Sequence, residues 1–112
     1  MDVVKRGDVV LVALHGDLGK PRPAIVIQSN AFNDKHESIT VCPVTSTILD
    51  GPLFRPTVEP TPGNGLRVVS QIMVDKMVPE RRDKIRRVVG HMDDLTMVRV
   101  NRAAILWLGL AD

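Results

Sequence analysis

The chain has 112 residues, enough for one domain with one hydrophobic core. Hydrophobic residues make up 44% and charged residues 25% of it, which argues against disorder, and a net charge of +2 is too small to indicate a nucleic-acid ligand by itself. Aromatic residues are only 3%, and no membrane segment or signal peptide is evident, so we expect a cytoplasmic protein without a base-stacking platform.

Most of the chain consists of short β-branched runs bounded by Gly, Pro, Asn and Asp, a pattern typical of strands. In chain order the predicted strands are Gly7–Leu14, Arg22–Ser29, Ser38–Val44, Leu53–Glu59, Leu66–Val78 and Ile85–Val89. The fifth run is long, and we expect it to be bent or broken. Six strands joined by short polar links predict an antiparallel sheet curled into a barrel or a small sandwich.

The C-terminal segment has helical periodicity instead. Asp93 or Asp94 can cap a helix, and Gly109 can end it. Its apolar positions recur at spacings of three and four: Met97, Val100, Ala104 and Leu108. One helix over a small barrel predicts a β-rich α+β domain spanning residues 1–112, and Trp107 on that helix is expected to pack in the core or in a dimer interface.

Arg22 lies between two prolines at the start of the second predicted strand. Each proline fixes its own φ and drives the preceding residue toward extended geometry, so the guanidinium is held at a defined strand entrance, where it suits a phosphate. A polar cluster, Thr45–Thr47, follows the next strand, and two such ends can converge in a small barrel. The alternative is that these residue types only mark the start of a strand and a turn, with no binding role.

Metal chemistry is not indicated, because the histidines and the single cysteine lack paired ligand spacing, and we expect neither metal nor cofactor. A Gly-rich phosphate loop and a nucleophile elbow are also missing. The remaining candidate is metal-free cleavage of RNA, in which the substrate supplies its own 2′-hydroxyl nucleophile. Arg22 suits stabilisation of the phosphoryl charge, the Thr45–Thr47 hydroxyls can donate to the same phosphate, and Asp75 or His15 can accept a proton.

Five segments in the order KRGDVVLVAL, GKPRPAIVIQS, VCPVTST, RVVSQIMVDK and LWLGL resemble the MazF/PemK family of toxin endoribonucleases, over residues 5–110. The resemblance implies an SH3-like antiparallel β-barrel of six or seven strands with a C-terminal α-helix, and a homodimer. It implies sequence-specific, metal-independent cleavage of single-stranded RNA, leaving 2′,3′-cyclic phosphate and 5′-hydroxyl ends. It also implies a cognate antitoxin that silences the activity.

By this resemblance Arg22, Thr45 and Asp75 are the catalytic residues. The expected substrate-binding residues are His15, Lys20, Ser46 and Arg55. Kid-like members carry an arginine two residues before the acid, where this chain has Met73. That departure leaves open which group acts as acid and which as base.

Two further questions stay open at this level. CcdB-like toxins share the same barrel and helix but bind DNA gyrase and cleave nothing, so the fold alone does not separate the two activities. Arg22 and Thr45 favour the nuclease, whereas the gyrase-binding alternative would use the Trp107–Gly109 segment. The basic run Arg81–Arg87 is either a solvated strand edge or a site for an acidic, disordered antitoxin peptide.

Overall fold

The structure, a computed structural model, describes residues 3–13 and 20–112. Over these residues it contains a seven-stranded antiparallel sheet and one α-helix. The strands are β1 (Asp8–Val12), β2 (Arg22–Val26), β3 (Ser38–Thr45), β4 (Thr57–Val58), β5 (Ser70–Ile72), β6 (Val78–Arg81) and β7 (Ile85–His91). The helix α1 (Asp94–Leu108) follows, and single 3₁₀ turns occupy Val74–Lys76 and Arg82–Lys84.

The strand order is β4-β5-β3-β2-β1-β7, and β6 also pairs with β3. The long strand β3 pairs with β2 along one edge. Along its other edge it pairs first with β6, through Ser38–Val41, and then with β5, through Val44 and Thr45. The sheet therefore divides along β3 and curls into a half-barrel, and this architecture with its C-terminal helix confirms the predicted fold class.

The central strands of the sheet are buried on both faces. Between the sheet and α1 lies one core cluster, which includes Val9, Ile25 and Cys42 together with Met97 and Val100 of the helix. The opposite face buries a second cluster: Val4, Val10, Val12, Ala24, Val26, Ile39, Val41 and Ile85. Because alternate residues of β1, β2 and β3 enter different clusters, these central strands are apolar on both faces.

The two segments between β3 and β7 test the predicted strand boundaries most strongly. The predicted strand Leu53–Glu59 is wrong in extent, since only Thr57 and Val58 pair with β5. Pro56 interrupts this segment and Pro52 and Pro60 flank it, and each proline lacks the backbone donor that a sheet ladder needs. The break expected within Leu66–Val78 is confirmed, because β5 ends before the 3₁₀ turn at Val74–Lys76 and β6 begins after it.

The helix begins and ends as its sequence predicts. Asp93 accepts a hydrogen bond from the Thr96 backbone N–H at 2.7 Å, which lowers the pKa of its carboxyl, and Gly109 ends the helix with φ of 69°. At 15 residues α1 is too short to cross a bilayer, and no other helix of the described chain is long and apolar enough to do so.

The predicted apolar face of α1 is only partly correct. Met97 and Val100 are buried and Ala103 joins them, but Leu108 is 53% exposed, which contradicts its expected core position. The whole last turn is exposed: Ile105, Leu106, Trp107 and Leu108. Trp107 is 48% exposed within the single chain and packs against Phe54, with ring centroids 5.0 Å apart.

Candidate active site

The pairing of β2 with β3 brings Arg22 and Thr45 toward each other. Ala24 lies opposite Pro43 in the ladder between these strands. The same register continued for two residues puts Arg22, the first residue of β2, opposite Thr45, the last residue of β3. Two residues that are 23 positions apart in the chain thus stand at the same end of the sheet, as the sequence predicts for two converging strand ends.

The hydroxyl of Thr45 is oriented by the turn that follows it. The Thr47 backbone N–H donates to Thr45 Oγ1 at 3.1 Å. With one lone pair engaged in this way, the Thr45 O–H remains available to donate outward. Ser46 and Thr47 are exposed beside it.

Arg22 and Thr45 both line an open cavity of about 770 Å³. Its polar lining comes from three arginines and four hydroxyl side chains: Arg22, Arg67, Arg87, Thr45, Ser46, Thr47 and Ser70. Aliphatic side chains complete the wall, and among them is Met73, so the departure from the Kid-like pattern falls inside this cavity. Among the described residues, three arginines and no carboxylate line this cavity.

Sequence reasoning missed two of these cations. Arg67 lies within the long fifth predicted strand, and its role could only have been suggested by its charge in an otherwise apolar stretch. Arg87 belongs to the basic run, which the structure divides. Arg81 pairs with Asp83 at 2.7 Å, and Arg82 donates to the His36 carbonyl at 2.7 Å and to the Asn33 carbonyl.

Asp75 and Arg55 form a separate unit. Arg55 Nε donates to Asp75 Oδ1 and Arg55 Nη2 to Asp75 Oδ2, each at 2.9 Å, and both side chains are only 12% exposed. The hydrogen bond from Arg55 holds the pKa of the Asp75 carboxyl below its ordinary value, and the same bond raises the pKa of Arg55. Both groups therefore stay charged at neutral pH.

The structure does not bring Asp75 together with Arg22 and Thr45. Asp75 does not line their cavity, and Arg55 lines a different one, of about 660 Å³, beside α1. Since both carboxylate oxygens accept from Arg55, the carboxyl is engaged in holding the 3₁₀ turn of Val74–Lys76 against the β4 side of the sheet. The expected catalytic role of Asp75 and the expected substrate contact of Arg55 stay predictions.

The other predicted site residues occupy different positions. Ser46 lines the cavity next to Thr45, whereas Lys20 is exposed just before β2 and does not line it. His15 lies outside the described residues. Cys42 is buried in the core, where burial raises the pKa of its thiol to about 12, so it is not a nucleophile. Over residues 3–13 and 20–112, no group of three or more His, Cys, Asp or Glu side chains is arranged to hold a metal ion.

Comparisons with known proteins identify the family of the chain. Residues 5–108 match the model of the family described as PemK-like, MazF-like toxin of type II toxin–antitoxin system. The chain is 41% identical over 109 residues to the probable endoribonuclease MazF of Mycolicibacterium smegmatis, covering 96% of this chain and 99% of that protein.

Two solved structures have a similar fold. One is a mycobacterial endoribonuclease in complex with its cognate antitoxin, with a TM-score of 0.82 at 20% identity over 96% of each chain. The other is the MazE–MazF complex of Deinococcus radiodurans, with a TM-score of 0.80 at 23% identity over 97% of this chain and 98% of that chain.

Proposed function

The chain belongs to the PemK-like, MazF-like toxins of type II toxin–antitoxin systems, and we propose that it is an endoribonuclease acting on single-stranded RNA at the Arg22–Thr45 cavity. The 41% identity to a probable endoribonuclease MazF supports this activity. The observation that supports the site is that Arg22 and Thr45 line the same cavity, together with two further arginines. The gyrase-binding alternative is not favoured, because the matched family is that of PemK and MazF.

The reaction that fits these groups is an internal transesterification. The 2′-hydroxyl oxygen of the RNA attacks the adjacent phosphorus, and the bond from phosphorus to the 5′-oxygen breaks. One proton leaves the 2′-hydroxyl and one reaches the departing 5′-oxygen, giving a 2′,3′-cyclic phosphate and a 5′-hydroxyl. The protein must align the 2′-hydroxyl, transfer these protons and stabilise the charge that grows on the phosphoryl oxygens.

Arg22 and Thr45 supply the last of these requirements. A guanidinium presents a planar fork of N–H donors to phosphoryl oxygens, and it holds its proton too tightly to be a good proton donor. We therefore assign Arg22 to charge stabilisation. The Thr45 O–H donates to the same phosphate. The hydrogen bond from the Thr47 N–H fixes the position of the Thr45 Oγ1 atom. No described residue of the cavity is a carboxylate or a histidine, so the proton acceptor stays unassigned, with His15 and Asp75 as the predicted candidates.

The test is cleavage of a long, mixed-sequence single-stranded RNA in buffer containing EDTA. Wild-type protein is expected to give fragments with 2′,3′-cyclic phosphate ends, and RNA with blocked 2′-hydroxyls should stay intact. The Arg22→Ala variant should be slower by roughly 100- to 1000-fold, the loss typical of removing one donor to a developing oxyanion. Undiminished cleavage by folded Arg22→Ala protein would exclude this site, and intact RNA with the wild type would exclude the activity.

We propose further that the protein is a two-fold homodimer in the cytoplasm. The last turn of α1 and the residues after it expose a continuous apolar set: Ile105, Leu106, Trp107, Leu108 and Leu110. Exposed apolar surface of this kind favours association with a second copy. Light scattering should give a mass near twice the 12.3 kDa of the chain, and a monomer at micromolar concentration would refute the dimer.

The cognate partner we propose is an acidic antitoxin that occupies the cation-lined cavity in place of RNA. Opposite charge would speed its association, and this effect weakens as salt rises. Inhibition by such an antitoxin should therefore be competitive with RNA and should slow with increasing salt. An inhibitor that binds without displacing RNA would contradict this assignment.

A further inference from the structure

We propose that Arg67 and Arg87 bind the RNA phosphates that flank the cleaved one and so hold the strand across the Arg22–Thr45 cavity, an inference that rests on the proposed ribonuclease activity. The two guanidiniums come from different elements, the loop between β4 and β5 and the strand β7, yet both line the cavity that holds Arg22. A polyanion crossing this cavity meets three cations in succession. In this scheme Arg67 and Arg87 are binding residues, and Arg22 alone of the three contacts the reacting phosphate.

Within the described chain, both side chains are exposed and neither has an ion pair or a side-chain hydrogen bond. Other arginines of the molecule are engaged, since Arg55 and Arg81 each pair with a carboxylate. The surroundings of Arg67 and Arg87 also differ from those of other cavities. Asp50, Glu59 and Glu37 contribute a carboxylate to three of those, whereas no described carboxylate lines this one.

The placement of both residues is fixed by the backbone. Arg87 lies opposite Leu11 in the ladder between β1 and β7.

Arg67 lies two residues after Gly65, which has φ of 69°. Gly65 is so close to β7 that an added Cβ would come within 2.4 Å of the Val89 carbonyl oxygen. The Asn64 side chain secures this loop, because its Oδ1 accepts from the backbone N–H groups of Thr61 and Leu66, each at 3.0 Å. The loop therefore holds Arg67 against the same cavity as Arg87.

Phosphate contacts should matter more here than in many proteins that bind single strands. Such proteins usually stack bases on aromatic side chains, and only 3% of this chain is aromatic. A side chain that neutralises a phosphate releases counterions, so the logarithm of the binding constant falls with the logarithm of salt concentration by about 0.7 per contact on a single strand. Each proposed contact therefore has a measurable signature that a structural role would not produce.

The experiment measures binding of a fluorescent, mixed-sequence 2′-O-methyl RNA of 14 nucleotides, which cannot be cleaved because its nucleophile is blocked. Titrations at several salt concentrations compare the wild type with Arg67→Ala, Arg87→Ala and the matched control Arg86→Ala. Arg86 is exposed on β7 next to Arg87, but it does not line the cavity. It lies at an irregularity of the β1–β7 ladder, between the pairs Val12–Ile85 and Leu11–Arg87. All three variants change the net charge equally.

We expect Arg67→Ala and Arg87→Ala each to weaken binding roughly tenfold at low salt and to lower the salt slope by about 0.7, as loss of one charge-assisted phosphate contact predicts. Arg86→Ala should keep the wild-type slope. In the cleavage assay the first two variants should raise KM and leave kcat nearly unchanged, because the lost contacts act on ground state and transition state alike. If either alanine variant fails to fold, the corresponding glutamine variant replaces it.

Equal slopes for Arg86→Ala and the two cavity variants would overturn the inference, as would a wild type that does not bind the probe. These failures are distinct from failure of the proposed function. If the wild type cleaves RNA but Arg67→Ala and Arg87→Ala bind the probe like Arg86→Ala, the proposed nuclease stands and only the flanking contacts are refuted. If the wild type binds the probe and the variants show the expected slopes, but no RNA is cleaved, the contacts stand and the nuclease is refuted.

Discussion

The Arg22–Thr45 cavity and the Arg55–Asp75 pair are each built around a guanidinium, but the two guanidiniums have different surroundings. Arg55 is mostly buried and donates two hydrogen bonds to one carboxylate, so its charge is compensated inside the protein. Arg22 is exposed at a strand end, in an open cavity that two more arginines also line. A cation paired with a buried carboxylate contributes to the fold, whereas three arginines lining one open cavity attract an external anion.

This difference predicts that substitutions at the two places separate activity from stability. Changes at Arg22 should reduce cleavage with little effect on unfolding, and changes at Arg55 or Asp75 should lower the stability of the fold. Each of the following measurements tests one side of that comparison.

The largest effect is expected from Arg22→Lys, which keeps the charge but loses the planar fork of donors. We expect kcat/KM for RNA cleavage to fall about 100-fold, because a transition-state donor pair becomes a point charge. The midpoint of urea unfolding should not change, since Arg22 is exposed. Cleavage at the wild-type rate would mean that only the charge of Arg22 matters and that its fork geometry does not.

The Asp75→Asn variant tests the other side. Loss of a charged, bidentate partner should lower the free energy of unfolding by about 1.5 to 3 kcal/mol, measured by urea denaturation. The double variant Arg55→Met with Asp75→Leu should recover part of this loss, because it removes both charges together. If Asp75→Asn abolishes cleavage without lowering stability, Asp75 is a catalytic residue, as the family resemblance predicts.

The pair should also make stability depend on pH. The folded pKa of Asp75 is below its ordinary value, so the carboxylate stabilises the fold at all pH values above the ordinary pKa of about 3.9. This contribution is lost as the pH falls from there through the lowered folded pKa. Urea denaturation of the wild type against Asp75→Asn should give curves that converge toward low pH. Curves that stay parallel down to acid pH would contradict the assignment.

The smallest effect is expected at Thr45. Replacing its hydroxyl in Thr45→Val should slow cleavage about tenfold, the usual net value of one hydrogen bond in the transition state. Thr45→Ser retains the hydroxyl, including the acceptor for the Thr47 N–H, and should stay within about threefold of the wild type. Equal activity of the valine and serine variants would remove Thr45 from the site.

Sequence reasoning was most successful where neighbouring residues decide the outcome. The cap at Asp93 and the end at Gly109 follow from local backbone hydrogen bonding, and β1, β2, β3 and β7 follow from β-branched runs. It was less successful for Leu53–Glu59, where the prolines outweighed the apolar pattern, and for Leu108, whose exposure depends on where the sheet ends.

For the site, sequence alone determined that Arg22 stands at a strand entrance and that a hydroxyl cluster follows the next strand, because prolines and turn residues fix these features locally. Only the tertiary structure decided which charges share a cavity. The pairing of β2 with β3 brought Arg22 toward Thr45, and the close approach of Gly65 to β7 brought Arg67 to the cavity that Arg87 lines. Packing of the 3₁₀ turn brought Asp75 within hydrogen-bond distance of Arg55. Pairings of this kind join residues far apart in the chain, so they depend on how the sheet curls and not on any local pattern.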